Sequence, residues 1–207
     1  MKSLLIWGTG DQGLVTLDAA IEMNCYAKID FLMIKEKHNC KITGYQIYDE
    51  DEINLDVLLD SYHEVIVATG DNQVREEKIK QVIRRGVKLA TIIHPTAVIS
   101  RMAVVEIGTT ILPNALINAK AHIGTGCIVN TGSIIEHGCT ICDYVNVSPN
   151  AAIVGNCKIG RKTWMGIGSV VIHNIEIGEN VIVGAGSVVI KDIPSNMTVV
   201  GIPAKTI

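Results

Sequence analysis

Three stretches of the chain carry residue types whose spacing could do chemistry. Gly8-Thr9-Gly10-Asp11-Gln12-Gly13 has the form of a glycine-rich turn between a strand and a helix. Backbone amides left open at such a helix start attract a phosphate, and taken alone the motif suggests a dinucleotide. Glu136-His137 is followed by Gly138 and Cys139. An imidazole titrates where it can take a proton from an attacking nucleophile; the plainer reading is an exposed histidine in a turn. Cys139 and Cys142, close to His137, could be imagined as a metal site. Cys139 occupies a small-residue slot of a longer repeat and no fourth ligand is suitably spaced, so no metal is expected.

The elements that must hold these residues follow from two different patterns. From Ile99 to Val189 every sixth residue is aliphatic or methionine, sixteen times without a slip. Neither the helical period nor plain strand alternation produces a strict six. The residue two places earlier is usually small, as at Ala115, Ala121, Cys127, Ser133, Cys139, Ala151 and Cys157. Short strands stacked along a three-sided prism need this pattern, with one bulky side chain per face filling the axis. Before the repeat, Ser3 to Trp7 reads as a buried strand, Leu14 to Met23 as a helix and Ala27 to Ile34 as a second strand. Lys35 to Tyr48 reads as polar loops, and Glu64 to Ala68 as a third strand. Asp71 caps a helix running to Arg85, Gly86 stops it, and Lys88 to Ile93 reads as a fourth strand. This order predicts a small α/β domain with a parallel sheet. His94-Pro95 is the natural boundary, giving domains 1–94 and 95–207.

Composition narrows the classes. The 207 residues are 48% hydrophobic with a single Phe, so the core is Val, Ile and Ala, and the formal charge is −3. Residues before Ile99 carry 11 basic and 15 acidic side chains, and those after carry 7 and 6. Nothing resembles the clustered basic face of a nucleic-acid binder, and no apolar stretch is long enough to span a bilayer. The opening residues run straight into the glycine turn with no signal-peptide cleavage region. Six unevenly spaced cysteines fit free thiols in a reducing cytoplasm.

The six-residue frame with Ile123-Gly124, Ile159-Gly160 and Ile177-Gly178 resembles the hexapeptide-repeat acyltransferases, and the closing Gly201-Ile202-Pro203-Ala204-Lys205 matches their C-terminal signature. Asn130-Thr131-Gly132-Ser133-Ile134-Ile135-Glu136-His137, with the glycine-turn domain in front, is similar to the sialic acid O-acetyltransferase and bacillosamine-type nucleotide-amino-sugar N-acetyltransferase group. The resemblance covers essentially the whole chain. It implies a Rossmann-like N-terminal domain followed by a left-handed parallel β-helix, a homotrimer with active sites between prisms, and acetyl-CoA as co-substrate. Members acetylate bacterial sugars, several as nucleotide-linked 4-amino sugars such as 4-amino-4,6-dideoxy sugars, for surface glycan biosynthesis.

Carried onto this chain, the resemblance makes His137 the general base. It places acetyl-CoA against Asn146, Gly155, Gly166, Ile167, Gly184, Ala185 and Lys205, with Lys191 near the coenzyme phosphates. The amide of Gly155 would meet the thioester oxygen; alternatively Gly155, Gly166 and Gly184 merely turn corners through positive φ. Two positions depart from the family. Gly138 stands where an acidic residue usually follows the histidine, so Glu136 or Asp143 would orient the base, or the base works unassisted. Asn146 stands where a second histidine is common. Gly8, Thr9, Gly10 and Gly70, with Asn72 and Arg75 nearby, would form the nucleotide-sugar pocket. Family members often have acidic residues after the second strand, and here Ile34 is followed by Lys35. His173 lies on a turn near the expected coenzyme groove. The expectation is a cytoplasmic N-acetyltransferase acting on a nucleotide-linked amino sugar. Its rivals are a sialic-acid-type O-acetyltransferase, a non-catalytic nucleotide-sugar-binding trimer and, most distantly, a dehydrogenase.

Overall fold

The computed structural model describes residues 1–34 and 42–207, which fall into two compact units, Met1–Pro95 and Thr96–Ile207. The expected polar loop after the second strand lies partly outside the described residues, as does Lys35.

The first unit is built on a four-stranded parallel sheet: β1 (Lys2–Trp7), β2 (Tyr26–Met33), β3 (Ile47–Asp49) and β4 (Glu64–Val67), in the order β3-β2-β1-β4. Leu4, Leu5, Ile6 and Trp7 are fully buried, the near-continuous apolar run expected of a strand covered on both faces. Helix α1 (Asp11–Glu22) follows β1, α2 (Leu55–Asp60) precedes β4, and α3 (Asn72–Arg84) follows β4. Asp71 caps α3 by accepting from the amides of Gln73 and Val74.

Three expectations are corrected here. Ile47–Asp49 is a strand at the end of the sheet and not loop. Helix α2, capped by Asn54, was not anticipated. Lys88 to Ile93 forms no continuous strand; it makes a bridge from Leu89 to Val65 and a two-residue strand, Ile92–Ile93.

The second unit is a parallel β-helix of two-residue strands, each paired with the strand eighteen residues on. Ile99, Ile117, Ile135, Ile153, Val171 and Val189 form one such column. Three faces result. Face 1 runs from Val98–Ile99 to Val188–Val189, face 2 from Val104–Val105 to Glu176–Ile177, and face 3 from Thr110–Ile111 through Ile182–Val183 to the tail strand Thr198–Val200. The six-residue frame points inward. From Ile111 to Val189 its members are at most 1% exposed, whereas Ile99 and Val105, in the first coil, are only partly buried.

The small-residue slots are explained by contacts to the next coil. The thiols of Cys127, Cys139 and Cys157 donate to the carbonyls of Cys142, Val154 and Ile172 at 3.1, 3.3 and 3.0 Å. Corners recur with the same period. Every sixth residue from Gly108 to Gly186 has positive φ, mostly Gly or Asn. Among the described residues no helix is long and apolar enough to cross a membrane.

Candidate functional site

His137 stands at the corner between faces 1 and 2, directly after the face 1 strand Ile134–Ile135, and is exposed. Its ring lies along the corner over the next coil. A Cβ built on Gly155, eighteen residues on, would be 2.6 Å from Cε1 and 2.7 Å from Nε2 of the imidazole. The ring thus fills the place that a side chain at position 155 would take. The φ of Gly155 is not positive, which sets aside the corner-turning explanation.

The same corner leaves a donor open. At three corners the preceding side chain accepts the backbone N–H. Asn118 takes that of Ala119 at 2.7 Å, Asn130 that of Thr131 at 2.8 Å, and Glu136 that of His137 at 3.2 Å. Before Gly155 stands Val154, which has no acceptor, and among the described residues none takes the Gly155 N–H. The imidazole thus lies against Gly155, whose N–H has no acceptor among the described residues.

The two carboxylates expected to orient His137 are held in other contacts. Glu136 Oε2 accepts from the His137 amide and from Asn118 Nδ2 at 3.0 Å, so this carboxylate fixes the backbone at the histidine. Asp143 stands at the next corner, where Oδ1 accepts from the Thr125 amide at 2.9 Å, packed against Gly124. It is not a partner of His137. Gly138 occupies one of the positive-φ corner positions, φ 68°, and a Cβ there would run into Asn156 Oδ1. Asn156 Oδ1 thus fills the place that a side chain at position 138 would take.

The other expected coenzyme residues gather elsewhere on the prism. Gly166, Ile167, Gly184 and Ala185 stand at the corner between faces 3 and 1, and Asn146 lies on face 3 beside it. Gly166 and Gly184 also lack positive φ. A Cβ on Gly166 would meet the Val183 carbonyl at 2.5 Å, and one on Gly184 would meet Val200 Cγ1 at 2.7 Å, so both are glycine for close stacking. Asn146 is 5% exposed, and its Oδ1 is buried with no partner. Lys205 and Lys191 line a cavity of about 410 Å³ at the C-terminal end, with Val189, Pro194, Pro203 and Ala204. His173 and Lys191 stand on the His137 corner, two and three coils on.

Sequence reasoning missed Trp164. It is the outward residue of its face 3 strand, 41% exposed, and its Nε1 donates to Ser148 Oγ at 2.8 Å. No local pattern could have shown this, because the bond spans sixteen residues.

In the first unit the glycine turn joins β1 to α1. Gly8 has φ 138° and packs against the Ala68 carbonyl, and Gly13 packs against that of Gly8. Gly10 caps α1 without a side chain, while Asp11 in the first turn puts a carboxylate near any bound anion. Thr9 is buried, its hydroxyl without a partner. Gly70 opens onto free space. Arg75 points inward, 1% exposed. It donates to the carbonyls of Thr69 at 2.9 Å and Gly70 at 3.4 Å and to Asn72 Oδ1 at 2.6 Å. It pins the loop and does not present its charge to a ligand.

Among the described residues no group of three or more His, Cys, Asp or Glu could hold a metal ion. The five described cysteines carry free thiols, and that of Cys139 is turned to a carbonyl.

The two units match two families: residues 3–82 the PglD N-terminal domain, and residues 156–191 the bacterial transferase hexapeptide (six repeats). Among curated proteins none matches. Solved structures match over the whole chain. The acetyltransferase domain of PglB from Neisseria gonorrhoeae FA1090 is 30% identical, with all of both chains covered and a TM-score of 0.91. The same domain in complex with acetyl coenzyme A is equally similar, at 30% identity and TM-score 0.91, covering 100% of this chain and 99% of that one. A histidine-to-asparagine variant of perosamine N-acetyltransferase from Caulobacter crescentus, in complex with CoA and GDP-perosamine, is 27% identical. It matches with a TM-score of 0.93 over 100% of this chain and 97% of that one. With the corner histidine, the glycine-turn sheet and the six-residue coils in one continuous chain, the protein belongs to the family of acetyltransferases that join a PglD-type N-terminal domain to a hexapeptide-repeat domain.

Proposed function

We propose that this protein is an acetyl-CoA-dependent N-acetyltransferase of a nucleotide-linked amino sugar, with a 4-amino-4,6-dideoxy sugar as the favoured acceptor and surface glycan biosynthesis as the setting. The observation that carries this reading is the His137 imidazole lying over Gly155 beside an open backbone N–H. That arrangement supplies both needs of acyl transfer. The acceptor amine attacks the thioester carbon while His137 takes its proton. The Gly155 amide donates to the oxygen as negative charge develops on it. The carbon–sulfur bond then breaks, and the imidazolium returns the proton to the coenzyme A thiolate. The relatives crystallised with acetyl coenzyme A and with GDP-perosamine support the two substrates.

In this reading residues 1–94 hold the nucleotide sugar at the C-terminal ends of the parallel strands, where open α/β sheets take their ligands. Gly8, Thr9, Gly10, Gly70 and Asn72 form the pocket, and Arg75 positions the loop after β4. Residues 95–207 hold the acyl donor along Asn146, Gly166, Ile167, Gly184 and Ala185, with its phosphates toward Lys191 and Lys205.

The two halves of the donor site stand at opposite ends of face 1, so one chain alone does not bring them together. The outward residues of that face, Val98, Leu116, Ile134, Ala152, Val170 and Val188, are all aliphatic. Three copies with face 1 toward a common axis would set the His137 corner of one beside the Gly166 corner of the next. The working enzyme is then a cytoplasmic homotrimer.

The test is transfer of labelled acetyl from acetyl-CoA to a nucleotide-linked 4-amino sugar and, in parallel, to a sialic acid. Product on the amine establishes the proposal. Product on the hydroxyl alone moves it to O-acetylation. No transfer to either, with nucleotide sugar bound, makes the protein a binding trimer.

A further inference from the structure

The indole of Trp164 makes a contact that the acyl-transfer reading does not use. Trp164 is the ladder partner of Asn146 in the next coil, yet its Nε1 reaches back to Ser148 Oγ at 2.8 Å. The ring therefore lies diagonally across the rung that carries Asn146 and Ser148. Both are buried, at 5% and 7% exposure, while Trp164 keeps 41% of its surface open. Asn146 Oδ1 has no donor. An amide oxygen cut off from water and left unpaired is destabilising unless a donor arrives.

The position of this rung is informative. Ser148 stands directly below Gly166 and Gly184 in the corner column, so the indole closes the N-terminal end of the glycine strip. Ser148 also belongs to the same coil as His137. The strip runs on toward the tail strand Thr198–Val200, three coils from Asn146, where Lys205 pairs with Val200. At roughly 4.8 Å per coil this is about 14 Å, comparable to an extended pantetheine arm. The arm carries two amide N–H groups and no charge, which suits a lone amide oxygen beside an indole.

We propose that Trp164 is an acyl-donor residue that covers Asn146 until the coenzyme binds: the pantetheine arm displaces the indole from Ser148, and an amide N–H of the arm takes Asn146 Oδ1. This rests on the acyl-transfer reading above. Trp164 is a contact and positioning residue, remote from the proton transfer at His137. Its loss shows in donor binding more than in turnover.

Only two tryptophans are present, Trp7 and Trp164, and Trp7 is fully buried in the parallel-sheet unit. The experiment is a titration of the full-length protein with coenzyme A, followed by tryptophan emission and by calorimetry. The expected result is an emission change that saturates with the calorimetric isotherm and is absent in Trp164→Phe. Trp164→Phe, which loses the Nε1 donor, still binds coenzyme A, about fivefold more tightly. Ser148→Ala, which removes the latch, binds coenzyme A about fivefold more tightly, as loss of one modest hydrogen bond in the closed state allows. Calorimetric binding with unchanged emission overturns the proposal, as does an emission change that persists in Trp164→Phe. Absence of calorimetric binding to the wild type removes the acyl-transfer reading itself, and the role of Trp164 with it.

Discussion

The His137 imidazole occupies the space in which a side chain at Gly155 would stand, with ring atoms within 2.6–3.1 Å of the position a Cβ would take. The pairing makes Gly155→Ala a sharp test. A methyl there must push the ring off the corner, and displacements on the order of 1 Å can cost about 100-fold in rate. Gly155→Ala is expected to lower kcat by about that factor with an unchanged circular dichroism spectrum. Activity within twofold of wild type would show that the ring's placement is incidental.

Gly138 and Asn156 form a second stacked pair, one coil apart. Restoring the family's acidic residue with Gly138→Asp keeps a tolerated left-handed corner but drives its Cβ into Asn156 Oδ1. Pushing the Asn156 side chain off its rotamer costs on the order of 1 kcal/mol. Thermal unfolding should show a lowered Tm for Gly138→Asp and partial recovery when Asn156→Ala is added. Equal Tm values for the single and double variants would contradict the stacking account.

Arg75 pins the loop that carries Gly70 and Asn72. Arg75→Ala leaves the Thr69 carbonyl and the Asn72 side chain without this donor, and the loop loses its fixed shape. The expected kinetic signature is a rise in KM for the nucleotide sugar of about tenfold or more, with KM for acetyl-CoA unchanged. A guanidinium that touched the reacting sugar would instead lower kcat.

Glu64 ties the parallel-sheet unit together. Burial alone would raise its carboxyl, but hydrogen bonds from Lys2, Lys88 and Tyr26 outweigh burial and hold it down at about 2, against an ordinary 4.5. A lowered carboxyl stabilises the fold above its unfolded value, and that contribution is lost as pH falls through the folded one. Denaturation of wild type and Glu64→Gln should therefore differ most near neutrality and converge between about pH 4.5 and 2. A gap that widens on acidification would reverse the sign and refute this assignment.

How much of this was legible in the sequence differs between the two units. The β-helix could be read almost residue by residue, because one geometric rule repeats: the inward residue must be bulky and its neighbour two places before must be small. The first coil loosens that rule at Ile99 and Val105, which are less buried than their successors. The parallel-sheet unit was read correctly where apolar runs were long, as in β1 and β2. It was misread at Ile47–Asp49, a strand of only three residues whose pattern is too short to show a period. The α2 start did leave a local signal, since Asn54 accepts from the amides of Asp56 and Val57. At the candidate site, the types of His137 and Gly155 were legible. Their mutual packing, the inward turn of Arg75 and the Trp164–Ser148 bond were not, because each depends on residues brought together only by the coils or the folded loop.

The most direct measurement is the steady-state rate of acetyl transfer from acetyl-CoA to a nucleotide-linked 4-amino sugar by His137→Asn beside wild type. A positioned general base contributes about 10²–10⁴ in rate, so the variant should lose that much in kcat while coenzyme A affinity stays within a few-fold. Undiminished turnover by His137→Asn would contradict the central claim that this corner imidazole takes the proton of the attacking amine.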